Sequence, residues 1–342
     1  MKRFSVILSA LLLLGGCGLS SKEKITVNEM TTNMQAQCIG RHIIDVPQEF
    51  ELMLGRDYSF MPASVHSESA AMIEPSIQGV GVTPKQFRTA VDARRNQLAA
   101  EENMLTREPL LREVTEIAEN AVLIRAYDDG LARDSFRSEL HLLVEDAYVV
   151  VKEESFDNGY REAEQRILDF SKNIARIRSA DSVQKGFCIG PVVLSGEYSF
   201  EQAGFTFRNK ARPDVVISVD IHTYAESGPP TLPQRINGPQ SLLRIFSYSP
   251  KVLRQGKTSA AGMDAEEWLA VFEEEGDRQE HKFMLETMRP KPSATQPLLT
   301  LQMTTGQQGS DGEWPTASLS DKEAMAVWDA IVKSIRVRPG AV

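Results

Sequence analysis

The tripeptide Cys38-Ile39-Gly40, followed by Arg41-His42-Ile43-Ile44-Asp45-Val46-Pro47, recurs 150 residues later as Cys188-Ile189-Gly190, followed by Pro191-Val192-Val193-Leu194. Each copy reads as the start of a strand that leads into an apolar stretch. The echo continues outward. Leu111-Arg112 and the run 119–126 correspond to Leu253-Arg254 and the run 266–272, and each run is followed by acids and a glycine: Asp128-Asp129-Gly130, then Glu273-Glu274-Glu275-Gly276. Two strands follow in both halves, 136–144 with 147–151 and 282–287 with 298–304. Each half then closes on a helix, 162–174 or 321–335, and a short tail, Arg176-Ile177-Arg178 or Arg336-Val337-Arg338. Self-similarity on this scale marks a duplicated plan. It predicts an α+β fold of two similar tandem domains, 38–180 and 187–342, each an antiparallel sheet with helices on one face.

Local signals support the elements. Thr83-Pro84 offers an N-cap and a proline at the first helical position, and Phe87, Val91, Arg94 and Leu98 follow at helical spacing. Ser320-Asp321-Lys322-Glu323 is a capping-box pattern ahead of Met325, Trp328, Ile331, Val332 and Ile335 on one face. Residues 215–221 read as a strand. Between elements lie long polar or Pro/Gly connections at 62–81, 225–239 and 305–316, lengths that in compact domains usually carry function.

The first residues read as an address. Met1-Lys2-Arg3 precedes an apolar run over 4–14 that is too short to span a bilayer and fits a signal peptide. The run ends in Leu14-Gly15-Gly16-Cys17, which looks like a bacterial lipobox. The expectation is a signal peptide at 1–16, diacylglycerol on Cys17 and a lipidated tether over 17–37. The protein would then be a membrane-anchored lipoprotein facing the periplasm, with inner or outer membrane left open. In that oxidising compartment Cys38 and Cys188 are candidates for a disulfide, the alternative being two buried thiols.

Composition narrows the function. The chain carries 38 Lys+Arg against 47 Asp+Glu, a net charge of −9 that becomes −11 once the leader with Lys2 and Arg3 is removed. Such a balance argues against nucleic acid as partner. No Gly-x-Ser-x-Gly, His-Glu-x-x-His, Gly-x-Gly-x-x-Gly or Cys-x-x-Cys occurs, and the five histidines stand apart from one another. Gly256-Lys257-Thr258 ends like a phosphate loop, but Lys251 stands where its first glycine belongs. The expectation is a binder rather than an enzyme, with no catalytic residue, no metal and no cofactor.

With these residues assembled, the chain resembles the two-domain lipoprotein immunity proteins of type VI secretion lipase (phospholipase) effectors, the Tli family. The resemblance rests on the lipobox at Cys17, Cys38-Ile39-Gly40 with its echo Phe187-Cys188-Ile189-Gly190, and Ala261-Gly262-Met263-Asp264-Ala265-Glu266-Glu267-Trp268. It implies a periplasmic protein that binds and inhibits a cognate lipase effector and so protects against self- or sibling intoxication. Its two domains would grip the enzyme together. The expected contact surface is the loops 225–239 and 305–316, with 62–81 as a third, and the candidate contacts are Trp314, Asp311, Glu313, Glu226 and Arg235. Exposed loop aromatics such as Trp314 commonly anchor interfaces. Two other readings compete. A structural or assembly lipoprotein predicts envelope partners and no protection; an envelope hydrolase with an unrecognised site predicts turnover by the purified protein.

Overall fold

Both Cys-Ile-Gly tripeptides end in a two-residue hairpin. Ile39 pairs with His42 and Ile189 with Val192, which leaves Gly40-Arg41 and Gly190-Pro191 as the loops. The glycines have φ of 63° and 61°, the positive value a type II′ turn needs at its first loop position and one that a Cβ opposes. Space is closed there as well: a Cβ on Gly40 would lie 2.8 Å from the Phe187 ring, and one on Gly190 2.6 Å from the Leu52 side chain.

The computed structural model describes residues 18–54, 59–62, 72–226, 230–239, 241, 249–274, 278–289, 291–306 and 315–342. The first half of the chain contains α1 (Ser21–Thr32), β1 (Met34–Gly40), β2 (His42–Pro47), β3 (Phe50–Leu52), β4 (Ser59–Pro62), β5 (Glu74–Val80), α2 (Pro84–Ala100), β6 (Leu111–Ala118), β7 (Ala121–Tyr127), β8 (Ser135–Val144), β9 (Ala147–Phe156), α3 (Tyr160–Ser171) and β10 (Ile174–Arg176). The second contains β11 (Phe187–Ile189), β12 (Val192–Leu194), β13 (Tyr198–Asn209), β14 (Val216–His222), α4 (Leu232–Asn237), β15 (Lys251–Ala260), β16 (Met263–Glu274), β17 (Arg278–Thr287), β18 (Leu298–Thr305), α5 (Asp321–Ser334) and β19 (Arg336–Val337). Capping boxes open α2 and α5, Thr83 with Gln86 and Ser320 with Glu323; the sequence reading has the second as a box and the first as an N-cap followed by proline.

Among the described residues three antiparallel sheets result. A five-stranded sheet, β5-β9-β8-β7-β6, comes from the first half; an eight-stranded one, β15-β16-β17-β18-β14-β13-β3 with β4 beside β13, lies mainly in the second. Between them is a six-stranded sheet of order β10-β12-β11-β1-β2-β19. That order is a palindrome of the duplication: the two hairpins meet at β1 and β11, and the closing strand of each half pairs with the hairpin of the other. The α+β class and the two similar units are therefore present, but they are interlaced. Strands β3 and β4 precede residue 180 and yet pair with β13.

The sequence reading puts helices on one face of each sheet; the structure has them on both. In β7, Val122 and Ile124 pack with Phe87, Val91 and Leu98 of α2, whereas Ala121 and Leu123 belong to the core shared with Ile167 and Phe170 of α3. In β16, Trp268, Ala270 and Phe272 cluster with Leu232 of α4, while Leu269 joins the core of Trp328 and Ile331 from α5. Successive strand residues point to opposite faces, so apolar runs without alternation require cover on both sides. The α3 and α5 cores merge across the central sheet through Ile39, Ile44, Val46, Phe187, Ile189 and Val192.

Polar groups close the junction. Cys38 and Cys188 form a disulfide with a Cα–Cα distance of 5.9 Å, next to the Gly40–Cys188 strand pair. Arg41 is buried and grips Glu201 of β13 through Nε at 3.1 Å and Nη2 at 2.5 Å, while its Nη1 donates to the Ala341 carbonyl oxygen at 2.5 Å. Arg338, also buried, donates to the carbonyl oxygens of Ser182, Gln184 and Gly186, the linker between the halves. Residues 17–37, expected as a tether, contain α1 and the start of β1. Among the described residues no helix is long and apolar enough to cross a membrane.

Candidate functional site

Strand β1 outruns its neighbour. It pairs with β2 from Met34 to Ile39, but with β11 only at Ile39 and Gly40. On the β11 side the stretch Gln35 to Cys38 therefore meets no strand among the described residues, and a cleft of about 690 Å³ opens there. Its walls come from both halves: Glu51, Leu52 and Leu54 at β3, Val80 at the end of β5, Ile177 to Ala180 after β10, and Gly190-Pro191 of the second hairpin. Leu54 and Val80 are 38% and 44% exposed. Apolar side chains of this size standing in water at a cleft mouth are what an interface buries. Two exposed charges of opposite sign flank them. Glu51 lies 3.1 Å from Lys210, and Arg178 pairs with Glu145. Among the described residues the lining holds no histidine, and its one cysteine, Cys38, is in the disulfide.

Two inner clusters look more like chemistry than the cleft does. His281 lies between Thr305 and Asp321, with Nδ1 2.7 Å from Thr305 Oγ1 and Nε2 3.0 Å from Asp321 Oδ1, the connectivity of a hydroxyl–imidazole–carboxylate relay. Both His281 and Thr305 are fully buried, so no substrate carbonyl can reach the hydroxyl. Burial lowers the His281 pKa despite Asp321. The cluster instead ties the first turn of α5 to β17 and β18, with Lys251 of β15 on Asp321 at 2.8 Å. The second cluster is Glu139, which accepts from Arg94 at 2.9 and 2.6 Å and from Arg137 at 3.0 Å. Burial by itself would raise its pKa, but the bonds from His141 and Arg94 prevail and hold the carboxyl well below its ordinary value. It locks α2 onto β8. Among the described residues no group of three His, Cys, Asp or Glu could hold a metal ion.

The contact residues expected from sequence do not gather at the cleft. Trp314, Asp311 and Glu313 lie outside the described residues. Glu226 is exposed beyond β14, and Arg235 sits on α4, where it binds Glu286 at 2.6 Å and the Pro230 carbonyl oxygen at 2.9 Å. Neither lines the cleft. Of the three expected loops, 62–81 reaches it through Val80, within a segment that is strand β5 rather than loop. The cleft was missed because its walls are distant in sequence; the one available signal was the brevity of the apolar run after Phe187 compared with the strand at Cys38.

Residues 35–180 match the Tle cognate immunity protein 4 N-terminal domain, and residues 182–340 match the C-terminal domain of the same family. The chain belongs to the Tle cognate immunity protein 4 family. Solved structures agree in fold. The crystal structure of a Tle4–Tli4 complex contains a chain that is 21% identical, with a TM-score of 0.66 over 91% of this chain and 99% of that one. The apo structure of the type VI secretion immunity protein TplEi from Pseudomonas aeruginosa is 21% identical, with a TM-score of 0.64 over 90% and 98%. TplEi is also known in complex with an "L" peptide, at 21% identity and a TM-score of 0.61 over 90% and 99%. No curated protein matches the chain. As a Tli4-family protein it is a non-enzymatic immunity protein that binds a Tle effector, the lipase class expected from its sequence.

Proposed function

We propose that this Tli4-family protein stops its lipase effector by seating a segment of that enzyme in the cleft between the halves, while held by lipid on Cys17 at the periplasmic side of the envelope. The observation that carries the reading is the edge of β1, which meets no strand among the described residues and stands above an apolar floor. An extended segment laid along residues 35–38 would gain main-chain hydrogen bonds, and Leu52, Leu54, Val80 and Ile177 would take its apolar side chains. Strand addition needs no sequence-specific polar network, which fits a lining whose described charged residues are Glu51 and Arg178 alone. That relative TplEi has been obtained with a peptide bound is consistent with such an occupant. The acidic surface, −9 over the whole chain, would speed the approach of a basic partner. The lipobox and the oxidised pair Cys38–Cys188 support export to the periplasm.

The test pairs Leu54→Asp with Val80→Asp. Both residues are partly exposed, so the double variant should melt like the parent. Its Kd for the purified cognate lipase should weaken at least about 100-fold by calorimetry, as loss of a central apolar cluster does. Cells expressing the lipase in the periplasm should lose protection in step. Unchanged affinity removes the cleft from the account.

A further inference from the structure

One helix, α1, stands in the chain between Cys17 and the strand that edges the cleft. Gly18, Leu19 and Ser20 are the only residues between Cys17 and α1, about 10 Å of chain at full extension. Ser20 and Glu23 close a reciprocal capping box, with Glu23 Oε2 accepting from Ser20 N at 2.7 Å, so the helix does not fray toward the anchor. Its inner face is seated: Met30 is buried and Val27 half-buried against α5 and β2. Two polar contacts fasten the near end, Ser320 Oγ to Glu23 Oε1 at 2.9 Å and Lys322 Nζ to the Gly18 carbonyl oxygen at 3.1 Å. At the far end the helix passes through Asn33 into β1, whose Gln35 lines the cleft.

We propose that α1 is a mount rather than a tether: it holds the folded body against the bilayer that carries the Cys17 lipid, with Lys22, Lys24 and Ile25 on the anionic lipid surface, and so sets the height of the cleft. The proposal rests on the reading of Cys17 as acylated. The outward face near the anchor has the chemistry for it. Lys22 and Lys24 are exposed, and Ile25, one turn from Lys22, is 60% exposed. Ammonium groups within a Debye length of anionic headgroups are attracted, and an alkyl side chain beside them enters the headgroup–acyl boundary. Glu29, exposed one turn beyond Ile25, is farther from Cys17 than either lysine. Twelve helical residues span about 18 Å, so with the linker the start of β1 stays within about 30 Å of the glyceryl group. A lipase working on that bilayer would meet the cleft at its own height, in a fixed orientation.

The experiment uses the full acylated protein in vesicles of phosphatidylethanolamine and phosphatidylglycerol. A fluorophore is placed through Ile25→Cys, and for reference through Ile117→Cys on the outer edge strand β6. On transfer from detergent to vesicles, quenching of the label at 25 by an aqueous quencher should fall at least about fivefold, as for a side chain entering the interface, and quenching at 117 should not change. A Gly/Ser insert of about 15 residues after Gly18 should leave the seated helix and Ile25 less shielded, because the body can then leave the surface. Equal quenching at both sites, with mass spectrometry showing acyl chains on Cys17, overturns the mount alone. Absence of acyl chains on Cys17 overturns the anchor reading and the mount with it.

Discussion

At the residue scale, single positions carry the duplication. Gly40 is needed for its positive φ and for the closeness of Phe187; Gly40→Ala should destabilise the protein by about 2 kcal/mol or more, read as a lower urea midpoint at unchanged slope. His42, beside it, is fully buried, and burial takes its pKa down to about 4, an effect the Thr295 backbone offsets only in part. Its folded value lies below the unfolded 6.5, so the unfolded chain binds the proton first. Stability from this group is complete above pH 6.5 and declines as pH falls toward 4, up to about 3 kcal/mol in all. His42→Leu should flatten that part of the stability profile, and an unchanged slope between those pH values would locate the proton uptake elsewhere. His281, also lowered by burial, adds a slope of the same sign that this variant leaves intact. The repeat of Cys-Ile-Gly was visible in the sequence, where it reads as a strand start; that each glycine opens a hairpin turn at the end of its strand was not. The burial of His42 was not, since a lone histidine in a strand-like run says nothing about which side is covered.

At the element scale, the central sheet depends on a cross-link between chain segments 150 residues apart. In the chain-entropy picture a loop of that length gives a disulfide close to 5 kcal/mol. Cys38→Ser with Cys188→Ser, or reduction of the parent, should lower the unfolding free energy by about 2–5 kcal/mol, measured in denaturant with and without dithiothreitol. Helices α2 and α5 were legible to within a residue or two because capping is a local device. Strand β5 was not, because residues 74–80 lack alternation and owe their conformation to pairing with β9. The shared sheet was likewise hidden: β10, β11, β12 and β19 have two or three residues each, too few for any period to register.

At the scale of the molecule, the halves defined by sequence are not separable bodies. Each lends its closing strand to the other, and β3 and β4 extend the eight-stranded sheet. Residues 38–180 and 187–342 expressed apart should each give little soluble, cooperatively folding material, while co-expression under oxidising conditions should restore a stable pair, followed by gel filtration and circular dichroism. Independent, fully cooperative unfolding of either half would show that the exchanged strands are dispensable. The sequence by itself determined the duplication, the α+β class, the capped helices and the immunity-protein kinship, because each is written in residues close together or repeated. Only the tertiary structure decided that the two units interlock, that both faces of their sheets are covered, and that a cleft opens beside β1. Those features arise where segments far apart in the chain come to lie within van der Waals contact, and no local pattern of side chains encodes which distant partner a strand edge will find or lack.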